Sequence, residues 1–544
     1  MTRRTALIAA AALFGIYVAL SFANAPGGYL GTDTGGKVAT LRAMKAHHTT
    51  DPDVGYWAEK WDPHGRLHPL YYTNHLGDRW INVTTLPALY AALPLYDALG
   101  YRGALVIPML GGVGCALAAA ALARRAGARD GGRLAFWVVG LASPVAIYAL
   151  DFWEHTVGLA LMAWGVVVLV DLAQRKRPVA FGVLAGLLFG AAATMRTEAL
   201  AFGAVATAVV CLYLLRRQWL FAIGVGACVA IGTAVPLAAN QGLERAVLGT
   251  SLRAERAAGT VGLASSSNDT ATRVREAGIT SLGLTGDGNL PSMLFGVVAL
   301  GAIAAAVLRR DARLLALAAA MYAARSLQGF GFVPGFLVAA PASAVGLALG
   351  WRRGPPARLA IAVAVLALPL VWSVQFTGGA APQWGGRYVL LSGFLLGALG
   401  VACLDDVARA LRVGVVALSV AVTVFGLAWM HERTHDVATS AHQLDRLPEP
   451  LLVSRVAHLV REGGGVHDLN RWLTALSGPD LEKASRIAAA NGVNRFALVD
   501  LDGSREPPRI GAYTRQKTTR VVRFIHGVPL RVWEYSDGAT ANRA

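Results

Sequence analysis

Apolar residues in this chain come in blocks that are continuous rather than periodic. Thirteen such blocks precede His431: residues 6–22, 104–123, 134–150, 156–170, 179–194, 199–215, 219–239, 293–308, 314–324, 332–349, 359–374, 389–404 and 413–430. An amphipathic surface helix would interrupt each block with polar residues at every turn. These blocks are not interrupted, and most approach the roughly 20 residues an α-helix needs to cross a bilayer core. The pattern predicts an α-helical polytopic membrane protein with about 13 transmembrane helices, of which the ninth, 314–324, is the shortest.

The polar punctuation between blocks predicts orientation. Arg3-Arg4, Arg124-Arg125, Arg175-Lys176-Arg177, Arg216-Arg217, Arg309-Arg310, Arg352-Arg353 and Arg409 with Arg412 fall at every second junction. Short basic loops are retained on the cytoplasmic side, so the N-terminus is expected inside a bacterial plasma membrane and the C-terminus outside it. Ala23-Asn24-Ala25 resembles a signal-cleavage site, but the apolar core before it is long for a signal peptide and many spans follow. A retained first helix is the better reading.

Two domains follow: residues 1–430, a membrane domain with outer loops at 24–102 and 240–291, and residues 431–544, a small extracytoplasmic α/β domain. The first loop is rich in aromatic residues and histidine, from Tyr56, Trp57 and Trp61 through His64, His68, Tyr71, Tyr72 and His75 to Trp80. Its apolar stretch 83–99, with Pro87 and Pro94, reads as helices lying at the membrane interface. The second loop, polar around Ser265-Ser266-Ser267-Asn268-Asp269, reads as a lid. In the tail, Ser477-Gly478-Pro479-Asp480 opens a helix over 481–491 that stops at Gly492. A buried strand is predicted at 496–500, and a hairpin of 521–524 with 530–535 around His526-Gly527. The tail carries no nucleophile motif, metal spacing or phosphate loop, which suits an accessory role in acceptor binding or assembly.

Composition narrows the function classes. The 544 residues are 55% hydrophobic and only 15% charged, and much of the net charge of +17 is spent on topological anchors, so nucleic-acid binding is not expected. Cys115, Cys211, Cys228 and Cys403 all lie inside apolar blocks and cannot staple outer loops. Asn82-Val83-Thr84 and Asn268-Asp269-Thr270 match a glycosylation pattern that is common by chance.

The chemistry-bearing residues gather at the outer junctions. Thr32-Asp33-Thr34-Gly35-Gly36-Lys37 follows the first span, with glycines that let the backbone turn beside a ligand. Asp33 there is a candidate proton acceptor, or else a helix N-cap. Asp151-Phe152-Trp153-Glu154-His155 joins the third and fourth spans; on a helix, Asp151 would share a face with Glu154 or His155. Ionisable groups buried at a membrane rim are functional candidates. Arg196 and Glu198 occupy the next outer junction, Arg325 with Gln328 a later one, and Arg387 sits in Gln383-Trp384-Gly385-Gly386-Arg387-Tyr388. An outward arginine runs against the positive-inside tendency, and an anionic partner, carboxylate or phosphate, explains it better than headgroup snorkelling once several recur. Lys37, His155, Arg196, Glu198, Arg325, Trp384, Arg387 and Tyr388 are the candidates for holding donor phosphate or substrate; Asp33, Asp151 and Glu154 are the catalytic candidates. A divalent ion, Mg or Mn, held by Asp33, Glu154 and His155 is conceivable, because such ions favour oxygen ligands with an occasional imidazole. Acids beside arginines suit transfer from a lipid-linked phosphate: arginines hold the leaving phosphate while a carboxylate deprotonates the acceptor hydroxyl.

On these residues the chain resembles the polytopic glycosyltransferases of the GT-C superfamily, especially bacterial protein mannosyltransferases and lipid A aminoarabinose transferases. The resemblance covers residues 6–430 and rests on Asp33 in the first outer loop, the acidic site Asp151 to His155, the Arg196-Thr197-Glu198 turn and the late Trp384 to Tyr388 segment. An extracytoplasmic C-terminal domain is also similar to that of actinobacterial cell-wall arabinosyl- and mannosyltransferases. The resemblance implies inverting transfer with Asp33 as general base, a polyprenyl-phosphate sugar as donor, and an envelope glycan, lipid or protein as acceptor. It points to decaprenyl-type arabinosyl or mannosyl donors. The chain departs from the mannosyltransferase pattern in having a lone Asp33 rather than an Asp-Glu pair, and it lacks the Trp-Trp-Asp motif of oligosaccharyltransferases.

Three rival classes share parts of this pattern. A transporter or flippase would bury charges near mid-membrane and repeat its halves, whereas the mid-span positions here are almost free of charge. A lipid-linked glycan ligase or polymerase would use the same residues with a longer donor. A structural assembly factor would leave the outer acids and arginines without a role.

Overall fold

The computed structural model describes residues 2–83, 85–215, 218–252, 274, 277–278, 280–283, 290–327, 333–374, 384–504 and 506–537. Gln328, Gln383 and the polar centre of the second loop, with Asn268, lie outside the described residues. The chain divides into two compact units: Met1–Ser21 with Leu105–Leu243 and Ser251–Trp429, and Phe22–Ala104 with Glu244–Thr250 and Met430–Ala544.

This is a multi-pass membrane protein. Among the described residues, 8 helices are long and apolar enough to span: Arg3–Ser21, Tyr101–Arg125, His155–Ala173, Glu198–Leu215, Trp219–Leu248, Pro355–Ser373, Arg387–Asp406 and Arg409–Asp445. Leu86–Leu99, Phe181–Met195 and Leu294–Arg309 are shorter apolar helices. Eight of the thirteen expected blocks are thus shown as spans at this length among the described residues, and where a block differs the reason is local. Block 134–150 is not one helix but two, Arg133–Leu141 and Pro144–Tyr148, because Ser143 turns extended and accepts a hydrogen bond from the Val145 amide. Pro144, lacking an amide hydrogen, starts the second helix and cannot continue the first. In block 332–349 the described residues are irregular over 333–341 and helical over Ala342–Leu349, and block 314–324 forms the helix Arg313–Ser326.

The second unit is built on a mixed six-stranded sheet. Its strands are β3 (Leu451–Ser454), β4 (Trp472–Thr474), β5 (Arg495–Leu501), β6 (Arg509–Ile510), β7 (Tyr513–Arg523) and β8 (Pro529–Asp537), in the order β4-β3-β5-β8-β7-β6, with β3 parallel to β4 and β5 and the rest antiparallel. A two-stranded ribbon, β1 (Asn74–Leu76) and β2 (Arg79–Ile81), precedes it in the chain. Strand β5 alternates between two cores: Phe496 and Leu498 face one, Ala497 and Val499 the other. A strand covered on both faces reads as a continuous apolar run, which is why 496–500 is legible in the sequence. The hairpin β7–β8 and the helix Gly478–Ala490 also match expectation. Ser477 and Asp480 form a reciprocal capping box, and Gly492 takes φ +66° after the helix.

Residues of the first outer loop fill both cores. Tyr56, Leu67 and Trp80 pack with Leu451, Leu498 and Tyr535, while Ala39 and Leu70 pack with Leu452, Trp472 and Val499. Residues 24–102, expected with the membrane domain, thus share a compact unit with the tail. Much of the loop's aromatic and histidine content serves this packing. His68 lies stacked on Trp80 at 5.4 Å, and burial pushes its pKa down to about 4, so its ring is neutral at pH 7.

One carboxyl in this unit makes stability pH-dependent. Burial, with the Asp500 carboxylate beside it, pushes Glu506 from 4.5 up to about 7, and Arg455 at 3.9 Å offsets part of the effect. The folded state therefore holds a proton that the unfolded chain has released between about pH 4.5 and 7. That contribution to stability is complete below 4.5 and disappears as pH rises through 7. Thermal unfolding of the full-length protein from pH 5 to 8 should show the sheet unit weakening by roughly 1–3 kcal/mol, and Glu506→Gln should flatten that slope.

Candidate functional site

In the membrane unit, the acidic junction and two arginine turns meet. Residues 151–154 form an irregular turn, and the fourth expected span begins as a helix only at His155. Asp151 and Glu154 therefore do not share a helical face as the spacing predicted; the turn itself carries them. Both are buried, as are Trp153 and His155. Arg196, the extended residue that ends the helix Phe181–Met195, sets its Nη1 3.7 Å from Glu154 Oε1 and donates from Nε to Glu198 Oε1 at 2.8 Å. The anionic partner inferred for Arg196 is thus a pair of carboxylates. Its Nη2, like Glu198 Oε2, has no hydrogen-bond partner among the described residues.

Arg387 reaches the same place by a backbone device. Gly385, Gly386 and Arg387 have φ of +76°, +73° and +31°, three successive residues in the left-handed region. Only glycine enters it without cost, and a Cβ at Gly386 would strike the Thr280 carbonyl. The turn delivers the Arg387 guanidinium 4.8 Å over the Trp153 ring and 5.0 Å over Tyr388, while Arg196 lies 5.2 Å over Tyr388. Tyr148, which no sequence pattern singled out, stacks on His155 at 4.7 Å and 9°, and its hydroxyl has no partner among the described residues.

His155, Arg196, Glu198, Arg387 and Tyr388 line one pocket. Its apolar wall includes Leu159 and Leu390, which also line a neighbouring pocket formed by Phe336, Phe394, Pro144 and glycines 385, 393 and 397. A charged pocket therefore adjoins an apolar one. Trp384 and Arg325 line neither. Trp384 is buried against Trp429 and Phe425, and Arg325 is buried in the last turn of the helix Arg313–Ser326.

Asp33 belongs to the other unit. The helix Thr32–Ala46 starts after an extended Gly31, so Asp33 lies in its first turn and is not its cap. A carboxylate there is favoured by the helix dipole. Arg461, from the short helix Leu459–Glu462 of the tail, places Nη2 3.3 Å from Asp33 Oδ1. Arg461 also donates to Asn82 Oδ1 at 3.0 Å and to Thr32 Oγ1 at 3.5 Å, and Asn82 is fixed through its amide to the carbonyls of Leu70 and Tyr71 and to Thr73. Asn82 is thus a buried structural amide, not a surface acceptor of glycan. Lys37, one turn beyond Asp33, is 1% exposed.

Gly35 and Gly36 turn out to be helical, not a turn beside a ligand. Their role is close approach: a Cβ on Gly35 would collide with the Arg461 carbonyl, and one on Gly464 would come within 3.0 Å of the Gly35 carbonyl. Helix propensity favours Gly35→Ala by about 0.5–1 kcal/mol, whereas the collision with backbone should cost about 1–3 kcal/mol. A lower melting temperature in Gly35→Ala shows that packing wins; a higher one contradicts this docking of the tail helix on the Asp33 helix.

A divalent ion finds no ready set of donors. Among the described residues no group of three or more His, Cys, Asp or Glu side chains gathers to hold a metal, and Glu154 is committed to Arg196.

The fold, helical in one unit and mixed-sheet in the other, is shared with solved membrane proteins. The chain is similar to ArnT from Cupriavidus metallidurans in the apo state, at 12% identity and a TM-score of 0.54, covering 96% of this chain and 97% of that one. It is similar also to the same protein bound to undecaprenyl phosphate, at 12% identity and a TM-score of 0.50, covering 98% of each chain. A looser likeness, at 11% identity and a TM-score of 0.43 over 89% of this chain and 67% of the other, is to an Archaeoglobus fulgidus oligosaccharyltransferase in complex with Zn and sulfate. Neither a protein-family model nor a curated protein sequence matches the chain.

Proposed function

We propose that this protein is a membrane glycosyltransferase that moves a sugar from a polyprenyl-phosphate donor to an envelope glycan, lipid or protein acceptor on the extracytoplasmic face, with inversion. The observation that carries this reading is the pair of adjoining cavities sharing Leu159 and Leu390, one lined by Arg387 and Arg196 and the other by apolar side chains. A lipid phosphate needs both surroundings: cationic donors for the headgroup, and a greasy cleft for the isoprenoid. The likeness in fold to a protein seen with undecaprenyl phosphate supports the same donor class.

In this reading Arg387 and Arg196, which line the same pocket, hold the leaving phosphate, the Arg387 guanidinium being oriented by the faces of Trp153 and Tyr388 and that of Arg196 by Glu154 and Glu198. Asp33 takes the proton from the acceptor hydroxyl, the oxygen attacks the anomeric carbon from the side opposite the phosphate, and the C–O bonding pair leaves with the polyprenyl phosphate. Asp151, with its carboxylate buried, orients the turn that carries Glu154 and His155. Arabinose and mannose are the first sugars to try. The test is transfer of radiolabelled sugar by the purified full-length protein from a panel of polyprenyl-phosphate pentoses and hexoses to envelope glycan fractions. Transfer from one donor establishes the class and names the sugar; accumulation of donor across a vesicle membrane without transfer replaces it with the transporter reading.

A further inference from the structure

Beside Asp33 stands a group of aromatic side chains that neither packing nor the chemistry above employs. Tyr72 is 52% exposed beside half-buried Tyr71 and His458, and its backbone lies at φ +66°, where a bulky residue is strained by roughly 1–3 kcal/mol. Its ring lies 4.4 Å from Tyr71 and 5.5 Å from His458, and Tyr71 meets His458 edge-on at 5.0 Å. The Arg461 guanidinium sits 5.6 Å over the Tyr72 ring while it also holds Asp33. His458 Nδ1 has no hydrogen-bond partner among the described residues. Burial and the adjacent Arg461 both lower the pKa of His458, which keeps its ring neutral.

We propose that Tyr72, backed by Tyr71 and His458, is a stacking platform for a sugar ring of the acceptor, which makes the acceptor a glycan. The inference rests on the transferase reading and gives its acceptor a chemical class. A sugar presents one face of C–H groups and a rim of hydroxyls. An exposed aromatic face accommodates the first, and the Asp33 carboxylate, held by the buried Arg461 beside the platform, accommodates the second. A ring stacked on Tyr72 has its hydroxyls beside the pair Asp33 and Arg461. Strain kept in an exposed tyrosine, where glycine or asparagine would fit the backbone without it, is explained when the ring itself is needed. Two parts of the chain build the platform: Tyr71 and Tyr72 come from the first outer loop, and His458 and Arg461 from the tail, so the tail takes part in acceptor recognition.

The experiment uses full-length protein in nanodiscs and reads binding apart from turnover. Linear arabino- and manno-oligosaccharides, and unglycosylated peptides as controls, are titrated by saturation-transfer NMR into wild type, Tyr72→Ala, Tyr72→Phe and Tyr72→Trp. Oligosaccharide binding should weaken by about tenfold or more in Tyr72→Ala and persist in the aromatic variants. In the transfer assay, Tyr72→Ala should raise the acceptor KM by a similar factor, with kcat and the donor KM near wild type. Equal oligosaccharide binding by wild type and Tyr72→Ala, or saturation by the peptides alone, overturns the proposal. Aromatic-dependent glycan binding with no transfer from any donor supports the platform and sinks the transferase reading, so the two failures are told apart.

Discussion

Asp33→Asn should lower kcat by about 10² to 10⁴, the usual cost of removing a general base, while leaving polyprenyl-phosphate binding near wild type. The substitution is nearly isosteric. An asparagine Oδ1 can still accept from Arg461 Nη2, which now lies 3.3 Å from the carboxylate, so the junction between the Thr32–Ala46 and Leu459–Glu462 helices should survive. Melting temperature checks that survival, and single-turnover transfer at saturating donor checks the loss. A variant with unchanged kcat would remove Asp33 from the chemistry. A variant with normal kcat but lower stability would leave it the structural role of anchoring Arg461.

The ease with which each part could be read from the sequence follows the length scale of its cause. Asp33 was legible because an isolated acid just beyond an apolar block is conspicuous in one stretch of chain. Arg461 was not, because its importance comes from meeting Asp33 across 428 positions of sequence, as the pair's numbering shows. The trace it leaves is indirect: Gly463-Gly464-Gly465 come just after it, as Gly35-Gly36 come just after Asp33, and close packing explains these small residues, Gly35 against the Arg461 carbonyl and Gly464 against the Gly35 carbonyl. The break at Ser143-Pro144 was hidden by the apolar residues around it, since hydropathy registers composition and not caps. Strands β3 and β4, with 4 and 3 residues, are too short to display alternation, whereas β5 announces itself by its uninterrupted apolar run. An anionic partner for Arg196 is legible in its outward position, but that Glu154 and Glu198 supply it is not, because Glu154 reaches it from an irregular turn and not from a helical face.

Arg387→Ala should raise the dissociation constant for polyprenyl phosphate by about 10- to 150-fold, the equivalent of about 1.5–3 kcal/mol for a hydrogen bond to a charged group. Arg196 is the poorer probe of the phosphate site even though it lines the same cavity. Removing it would leave Glu154 and Glu198 buried without their shared cation, a change that costs stability by about 3–5 kcal/mol and confuses unfolding with lost binding. Arg387 lies over the ring faces of Trp153 and Tyr388, on a turn that two glycines make possible. Its loss deletes a cation while leaving those supports standing. Arg387→Lys gives the sharper comparison, because an ammonium keeps the charge but cannot stack as a plane or offer a fork of donors. Lysine should therefore recover only part of the affinity. Full recovery would mean that the chamber reads charge alone, and no loss in either variant would place the donor phosphate elsewhere. The measurement is equilibrium binding of a labelled polyprenyl phosphate to each purified variant, made at two ionic strengths so that screened attraction to the surface is separated from contact inside the chamber.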